Sequence, residues 1–140
     1  MVGFNLSTAS NMLKMKGTFL LIQQAMEDDA YKEIYDITKK ILSQAKSNAP
    51  VKTGALRASG RIENIGTRKN PDFRILFGGI NDVDYAGFQE FGTVFFAGRF
   101  FLTRAVDKYR PKYVGAVKGA LEGGWNREVR KHNAIGMISF

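Results

Sequence analysis

The chain has 140 residues, of which 44% are hydrophobic and 24% are charged, and its formal net charge is +8. This length suits one globular domain that buries about 68% of the surface of its unfolded chain. The absence of cysteine excludes disulfides, thiolate metal sites and cysteine nucleophiles, and the single histidine, His132, cannot form an imidazole cluster.

The first predicted element is a long helix from Glu27 to Asn48, ended by Pro50. Acidic residues gather at its early end and lysines at its late end, which suits the helix dipole. Whether the helix also includes Thr18 to Met26 stays open. One apolar stripe recurs at steps of three or four, formed by Ala30, Ile34, Ile37, Ile41, Ala45 and Ala49.

The region before this helix matches no membrane or export signal. Its longest uncharged apolar stretch, Gly17 to Met26, is far shorter than the roughly 20 apolar residues that a membrane helix needs. Two lysines precede only a brief apolar run, which is a poor match to a secretory signal. We therefore expect a protein that contacts no membrane and stays in the cytoplasm that made it.

A turn and two short strands are predicted next. Pro50 and Gly54 lie four residues apart and indicate a reversal of the chain. Residues 61–65 and 73–77 are rich in strand-forming residues and partly alternating, and a polar loop with a proline separates them, which predicts an antiparallel pair. Glycines and the Asn81-Asp82 pair end the second strand.

Aromatic residues concentrate in the segment that follows. Eight of the eleven phenylalanines lie between Phe73 and Phe101. The spacing of Tyr85, Phe88 and Phe91 predicts a short helix that ends at Gly92, followed by an extended stretch to Arg99. The run from Phe95 to Phe101 either completes the protein's own core or lies against a neighbouring subunit, and we weigh these alternatives evenly.

A second long helix is predicted from Leu102 to Gly123-Gly124, because apolar residues again recur every three or four positions. Pro111 is expected to kink or divide it. We therefore assign residues 1–124 to a single domain and 125–140 to a C-terminal extension. The apolar end of this extension, Ile135 to Phe140, is expected to pack on a neighbouring subunit.

No group of residues has the pattern of a catalytic, metal or cofactor site. Asp82, Asp84 and Glu90 match no calcium-loop template, and an ordinary tight turn explains their residue types. Ser59 lacks a nucleophile-elbow pattern, and the glycine pair after the second strand lacks the lysine and hydroxyl residue of a phosphate loop. The sequence predicts a binding or structural protein with no catalytic residue, metal or cofactor.

Three segments carry a resemblance to a known family. Residues 49–59 read Ala-Pro-Val-Lys-Thr-Gly-Ala-Leu-Arg-Ala-Ser, residues 84–93 read Asp-Tyr-Ala-Gly-Phe-Gln-Glu-Phe-Gly-Thr, and an Ala-x-x-x-Phe-Leu element spans 97–102. Over roughly residues 20 to 122, this order resembles the neck and tail-completion proteins of long-tailed bacteriophages and prophages. In the third element, Phe100 stands where that family usually has proline, and one extra residue follows Ala97.

The resemblance implies an α+β subunit, in which a small antiparallel β-sheet packs against two main helices, assembled as a hexameric or dodecameric ring. It implies a structural virion protein of the phage neck, not an enzyme, assembled in the host bacterial cytoplasm. Its neighbours would be the head-connector or stopper protein and the tail-terminator protein. Genome DNA would pass through the lumen without sequence-specific contacts. A tail-terminator ring that caps the tail tube is the alternative.

The resemblance also points to particular residues. The implied motif and assembly residues are Pro50, Thr53, Gly54, Leu56, Arg57, Tyr85, Ala86, Glu90, Phe91, Gly92, Thr93, Phe101 and Leu102. Gly54 and Gly92 are expected to form turns that other residues disfavour, and the aromatic side chains of the second motif are expected to anchor it to the core. Glu90 is expected to accept a hydrogen bond from Thr53, Thr93 or a backbone N–H.

The basic excess allows two interpretations. A solvated basic face is the simpler one, and a stand-alone basic nucleic-acid-binding module is the second functional hypothesis, ahead of a small hydrolase. In a ring, the basic residues would contact phosphates in the lumen. The expected lumen contacts are Arg57, Arg61, Arg68, Lys69 and Arg74.

Overall fold

The computed structural model describes residues 6–79 and 83–134. Its elements are, in chain order, α1 (Leu6–Asn48), α2 (Ala55–Ser59), β1 (Arg61–Asn64), β2 (Phe73–Leu76), α3 (Ala86–Phe91) and α4 (Phe101–Ala134). The predicted α+β class, with a small antiparallel sheet and two main helices, is confirmed. Within the described residues, no helix is long and apolar enough to cross a membrane.

Helices α1 and α4 form an antiparallel pair. Near one end, the Lys108 ammonium donates to the Gln44 side chain at 2.6 Å, and near the other end Arg127 forms an ion pair with Asp29 at 2.9 Å. The hydrogen bond from Arg127 to Asp29 raises the pKa of the arginine. The predicted apolar stripe of α1 is turned inward toward α4, since Ala30, Ile37 and Ala45 are buried. Ile22, nearer the start of the helix, is buried as well.

The predicted end of the second long helix at Gly123-Gly124 is wrong, because α4 continues to Ala134. A Cβ atom at Gly124 would lie 2.9 Å from the Met26 Cα atom, so this glycine lets the two helices approach closely. The pair of glycines is thus a packing feature and not a stop signal. Pro111 does not divide α4 either, and residues 135–140 lie outside the described residues.

The two strands pair in the predicted antiparallel sense, with Arg61 opposite Leu76 and Asn64 opposite Phe73. The sheet rests on α1, where the Phe73 ring lies 5.2 Å from the rings of both Tyr31 and Tyr35. This contact fixes the sheet against the middle of the long helix.

Ser59 joins α2 to the end of β2. Its buried hydroxyl donates to the Leu56 carbonyl at 2.7 Å and accepts the Gly78 N–H at 2.9 Å. Both hydrogen-bonding roles of this serine therefore serve the fold.

We predict opposite effects of alanine at two neighbouring glycines of α4. Gly123→Ala should raise the free energy of unfolding by up to about 1 kcal/mol, because alanine favours helix and nothing lies within 4 Å of that position. Gly124→Ala should lower it by about 1 kcal/mol or more, because the added methyl group meets the Met26 backbone. Chemical denaturation of both variants measures the difference, and equal stabilisation by both would contradict the close helix approach.

Candidate assembly surface

The three motif segments converge on one core cluster. Leu56 from the first motif, Ala86 from the second and Phe101 from the third are all buried there, and Phe77 meets the Phe101 ring edge-on at 5.0 Å. The motif residues divide by exposure. Pro50, Gly54, Leu56, Ala86, Glu90, Gly92, Phe101 and Leu102 are buried or half-buried, whereas Thr53, Arg57, Tyr85, Phe91 and Thr93 are exposed.

The first motif forms a tight connection between α1 and α2. Gly54 has φ 82°, the left-handed conformation expected of this glycine, and directly precedes α2. The Thr53 hydroxyl accepts the Ala55 N–H at 3.4 Å. The Arg57 guanidinium reaches back to the Ser47 and Ala49 carbonyls at the end of α1, at 3.5 and 3.4 Å. These polar groups hold the turn and leave its outer side exposed.

Glu90 is the central polar residue of the second motif. Its side chain is buried, and its carboxylate accepts the Leu102 N–H at 3.0 Å, the Thr103 N–H at 2.9 Å and the Thr103 hydroxyl. The partner is thus a backbone N–H, one of the three expected donors, and not Thr53 or Thr93. The first N–H groups of a helix have no partner within it, so this carboxylate caps α4 from another element.

The loop from Gly92 to Phe100 is fixed at both ends to α3. Gly92 has φ 83° and forms an isolated bridge with Ala97, while the Arg99 and Phe100 N–H groups donate to the Gln89 and Glu90 carbonyls at 2.8 and 3.0 Å. At its tip, the Thr93 N–H donates to the Phe96 carbonyl at 2.9 Å. The predicted extended stretch is therefore wrong, and a tight turn takes its place.

Phe100 adopts φ 49°. Proline has φ near −65° and no N–H, so it could neither adopt this conformation nor make the bond to Glu90. This explains why phenylalanine, and not the proline usual in the resembled family, fits this backbone.

The predicted anchoring of Tyr85, Phe88 and Phe91 in the core is wrong, because all three are exposed. From the N-cap Tyr85 through the six-residue helix α3, residues three apart share one face, and that face points outward. The opposite face buries Ala86 and Glu90, which are four apart. The spacing of Ala86 and Glu90 could have identified the buried face of α3. We did not recognise it, because alanine is small and glutamate is charged, and neither is typical of a core.

Six apolar residues form an exposed surface that we call the aromatic knob. Val94 and Phe95, at its tip, are 93% and 92% exposed, and Phe91 is 73% exposed. Of the run from Phe95 to Phe101, Phe101 enters the core. The complete set is Phe88, Phe91, Val94, Phe95, Phe96 and Phe100.

The five basic residues expected in a lumen have unequal roles. Arg61 donates to the Gly78 carbonyl at 2.8 Å, Arg68 forms an ion pair with Asp28 at 2.6 Å, and Arg57 holds the first motif. Lys69 and Arg74 are exposed on and beside the sheet. Three of these cations therefore bond to other groups of the protein, and two of those three, Arg57 and Arg68, are exposed as well.

A cleft of about 720 Å³ lies between the first two motifs, and its lining includes Lys52, Tyr85 and Arg99. Among the residues that the structure describes, no carboxylate lines this cleft. Within residues 6–79 and 83–134, no three acidic or histidine side chains cluster as metal ligands. Asp82 lies outside the described residues, and both oxygens of Glu90 already accept hydrogen bonds.

We predict that removal of the Glu90 carboxylate destabilises the fold more than removal of one of its donors. Glu90→Ala should lower the free energy of unfolding by about 2 kcal/mol or more, because it leaves two partly buried N–H groups without their carboxylate acceptor. Thr103→Ala removes the hydroxyl alone and should cost about 1 kcal/mol. Denaturant titration compares them, and an equal loss would show that Glu90 is not the cap that holds α4.

Comparison with known proteins places this chain in a family. Residues 21–92 match a family model, HK97-gp10-like, described as "Bacteriophage HK97-gp10, putative tail-component". Neither the curated proteins nor the solved structures gave a match. The matched residues are just over half of the chain and include the Gly54 turn and all of α3. The chain therefore belongs to the HK97-gp10-like family of phage tail components.

Proposed function

We propose that this protein is a ring-forming subunit of the phage neck, where it joins the head connector to the tail tube. The observation that carries the proposal is the aromatic knob, which a fixed loop holds in water. Large apolar patches are rare on proteins that act alone and are typical of protein contact sites. Membership of a tail-component family supports a role within the virion.

The arrangement of the motifs supports a structural role over a catalytic one. Their buried members build the core or cap α4, and Ser59, the only serine that we considered as a nucleophile, has its hydroxyl bonded within the fold. What remains exposed around the motifs is mainly aromatic and cationic. Such a surface is suited to binding a protein or a phosphate backbone.

The neighbours in this proposal are further copies of the chain, the head-connector or stopper protein, and the tail-terminator protein. A ring that caps the tail tube as the terminator is the second candidate, because the family description names the tail. Genome DNA would pass through the lumen without being read. Lys69 and Arg74 are the proposed phosphate contacts, since the other three candidate arginines bond within the protein.

Loss of the Gly54 turn should block joining and leave earlier assembly steps intact. A valine at φ 82° is strongly disfavoured, and because nothing lies within 4 Å of the Gly54 position, the damage should be confined to the turn. Electron microscopy of particles carrying Gly54→Val should show DNA-filled heads beside unattached tails. Tails of abnormal length would favour the terminator position.

The control for this experiment is Gly79→Val, which has φ 69° and equally open surroundings but lies outside the motifs. It carries the same backbone strain and should still yield joined particles. Intact, infectious particles from the Gly54→Val variant, with the substituted protein shown to be folded, would refute the assigned role of this turn.

Reversal of the charges of Lys69 and Arg74 should slow the passage of DNA and leave particle assembly unchanged. Particles with Lys69→Glu and Arg74→Glu should be joined and filled, yet release DNA more slowly in a triggered ejection assay, because the new carboxylates repel phosphates. Lys112→Glu, an exposed change on α4, serves as the control. Normal ejection from the doubly substituted particles would remove both residues from the lumen.

A further inference from the structure

We propose that the aromatic knob of one copy docks into an apolar trough on the next copy, in a head-to-tail contact. The proposal rests on the ring function above and deepens it, because it names the two faces that meet. The trough lies between β2 and α4, and α3 lines one part of it and α1 the other. It consists of two adjoining hollows of about 480 and 500 Å³ that share Leu102 and Val106.

The lining of the trough is mainly apolar, and Asp107 and Arg110 of α4 add charged groups at its edge. Phe73 and Ile75 of β2 form one wall, Val106 and Tyr109 of α4 form the other, and Ile34 of α1 lies at the base. From Leu102 to Val114, it follows α4 for about 18 Å at 1.5 Å per residue. At its far end, Val114 is 67% exposed, so the trough opens on the surface.

The loop that carries the tip of the knob is held in one conformation before docking. The bridge between Gly92 and Ala97, together with the tight turn at Thr93, presents Val94 and Phe95 outward. A Cβ atom at Gly98 would lie 2.5 Å from the Glu90 carbonyl, so the base of the loop packs directly on α3. A fixed loop loses little conformational entropy on docking, which favours binding.

A second copy is the occupant that fits both surfaces. The chain's own Val94 and Phe95 are almost fully exposed, so they do not fill its own trough. The knob and the trough are largely different surfaces, since Phe91 is the one knob residue that also lines the trough. Contacts between unlike surfaces repeat around a ring or along a filament. One kind of subunit therefore supplies both halves of the contact.

The available area is sufficient for a stable contact. The five knob phenylalanines average about 60% exposure, and at roughly 200 Å² for each ring they offer about 600 Å². A standard interface buries about 800 Å² on each partner. Val94 and the flanks of the loop supply the remainder.

The test combines two variants that each lose one face. Val94→Asp with Phe95→Asp removes the knob, and Tyr113→Ser with Val114→Asp removes the open end of the trough; circular dichroism confirms that both variants fold. Native mass spectrometry should show larger oligomers for the unaltered protein and monomers for each variant alone. An equimolar mixture should give a 1:1 dimer that grows no further, because one knob and one trough remain. Leu20→Asp, on an exposed part of α1 far from both faces, should still form larger oligomers.

Chemical cross-linking can test the contact between knob and trough inside assembled particles. The native chain has no cysteine, so Val94→Cys with Val114→Cys places the only two thiols on the two faces. A short bismaleimide should then give a ladder of linked subunits, whereas Val94→Cys with Leu20→Cys should not. This measurement decides the matter if the unaltered protein assembles only in the particle.

The outcomes separate this inference from the proposed function. If the unaltered protein self-associates but the mixed variants stay monomeric, the knob-to-trough contact is refuted and the ring function stands. Absence of the Val94–Val114 ladder from particles that contain the protein refutes the contact in the same way. Absence of the protein from the particles refutes the proposed function, and the inference with it.

Discussion

The structure depends on one buried carboxylate at the start of a helix. Glu90 lies in α3, yet its partners are the Leu102 and Thr103 N–H groups at the first turn of α4. Burial of a charge is costly unless hydrogen bonds compensate it, and the unpaired N–H groups of a helix start supply that compensation. The bond therefore ties the orientation of the 34-residue helix α4 to the short helix α3.

The exposed loop follows from the same constraint. With the Glu90 side chain on α4 and its carbonyl accepting the Phe100 N–H, the residues from Gly92 to Phe100 must leave α3 and return within a few ångströms. Gly92 and Gly98 permit this crossing, since a Cβ atom at either position would meet backbone atoms at 2.4 to 2.5 Å. The aromatic side chains between them have no interior to enter, so they remain in water.

The sequence predicted those elements whose signals are local. The long stripe of α1, the two strands and the short helix ending at Gly92 all have a periodicity or a turn residue that indicates them. The predicted end of α4 was wrong because Gly124 packs against Met26, which is 98 residues earlier in the chain. A local sequence pattern gives no sign of such a distant contact. The exposure of Tyr85, Phe88 and Phe91 was missed likewise, since hydrophobicity alone cannot tell a core from an interface.

The candidate site shows how a family motif can combine two tasks. Its residues are not all on the surface: Ala86 and Glu90 are buried, and Phe91 and Thr93 are exposed on the outer side of the same short segment. A change to the buried residues would move the surface with it, because Glu90 and the loop are linked through α4. A surface supported by buried hydrogen bonds in this way keeps its shape before any partner arrives, and the proposed ring, in which many identical contacts form in register, would need such rigidity.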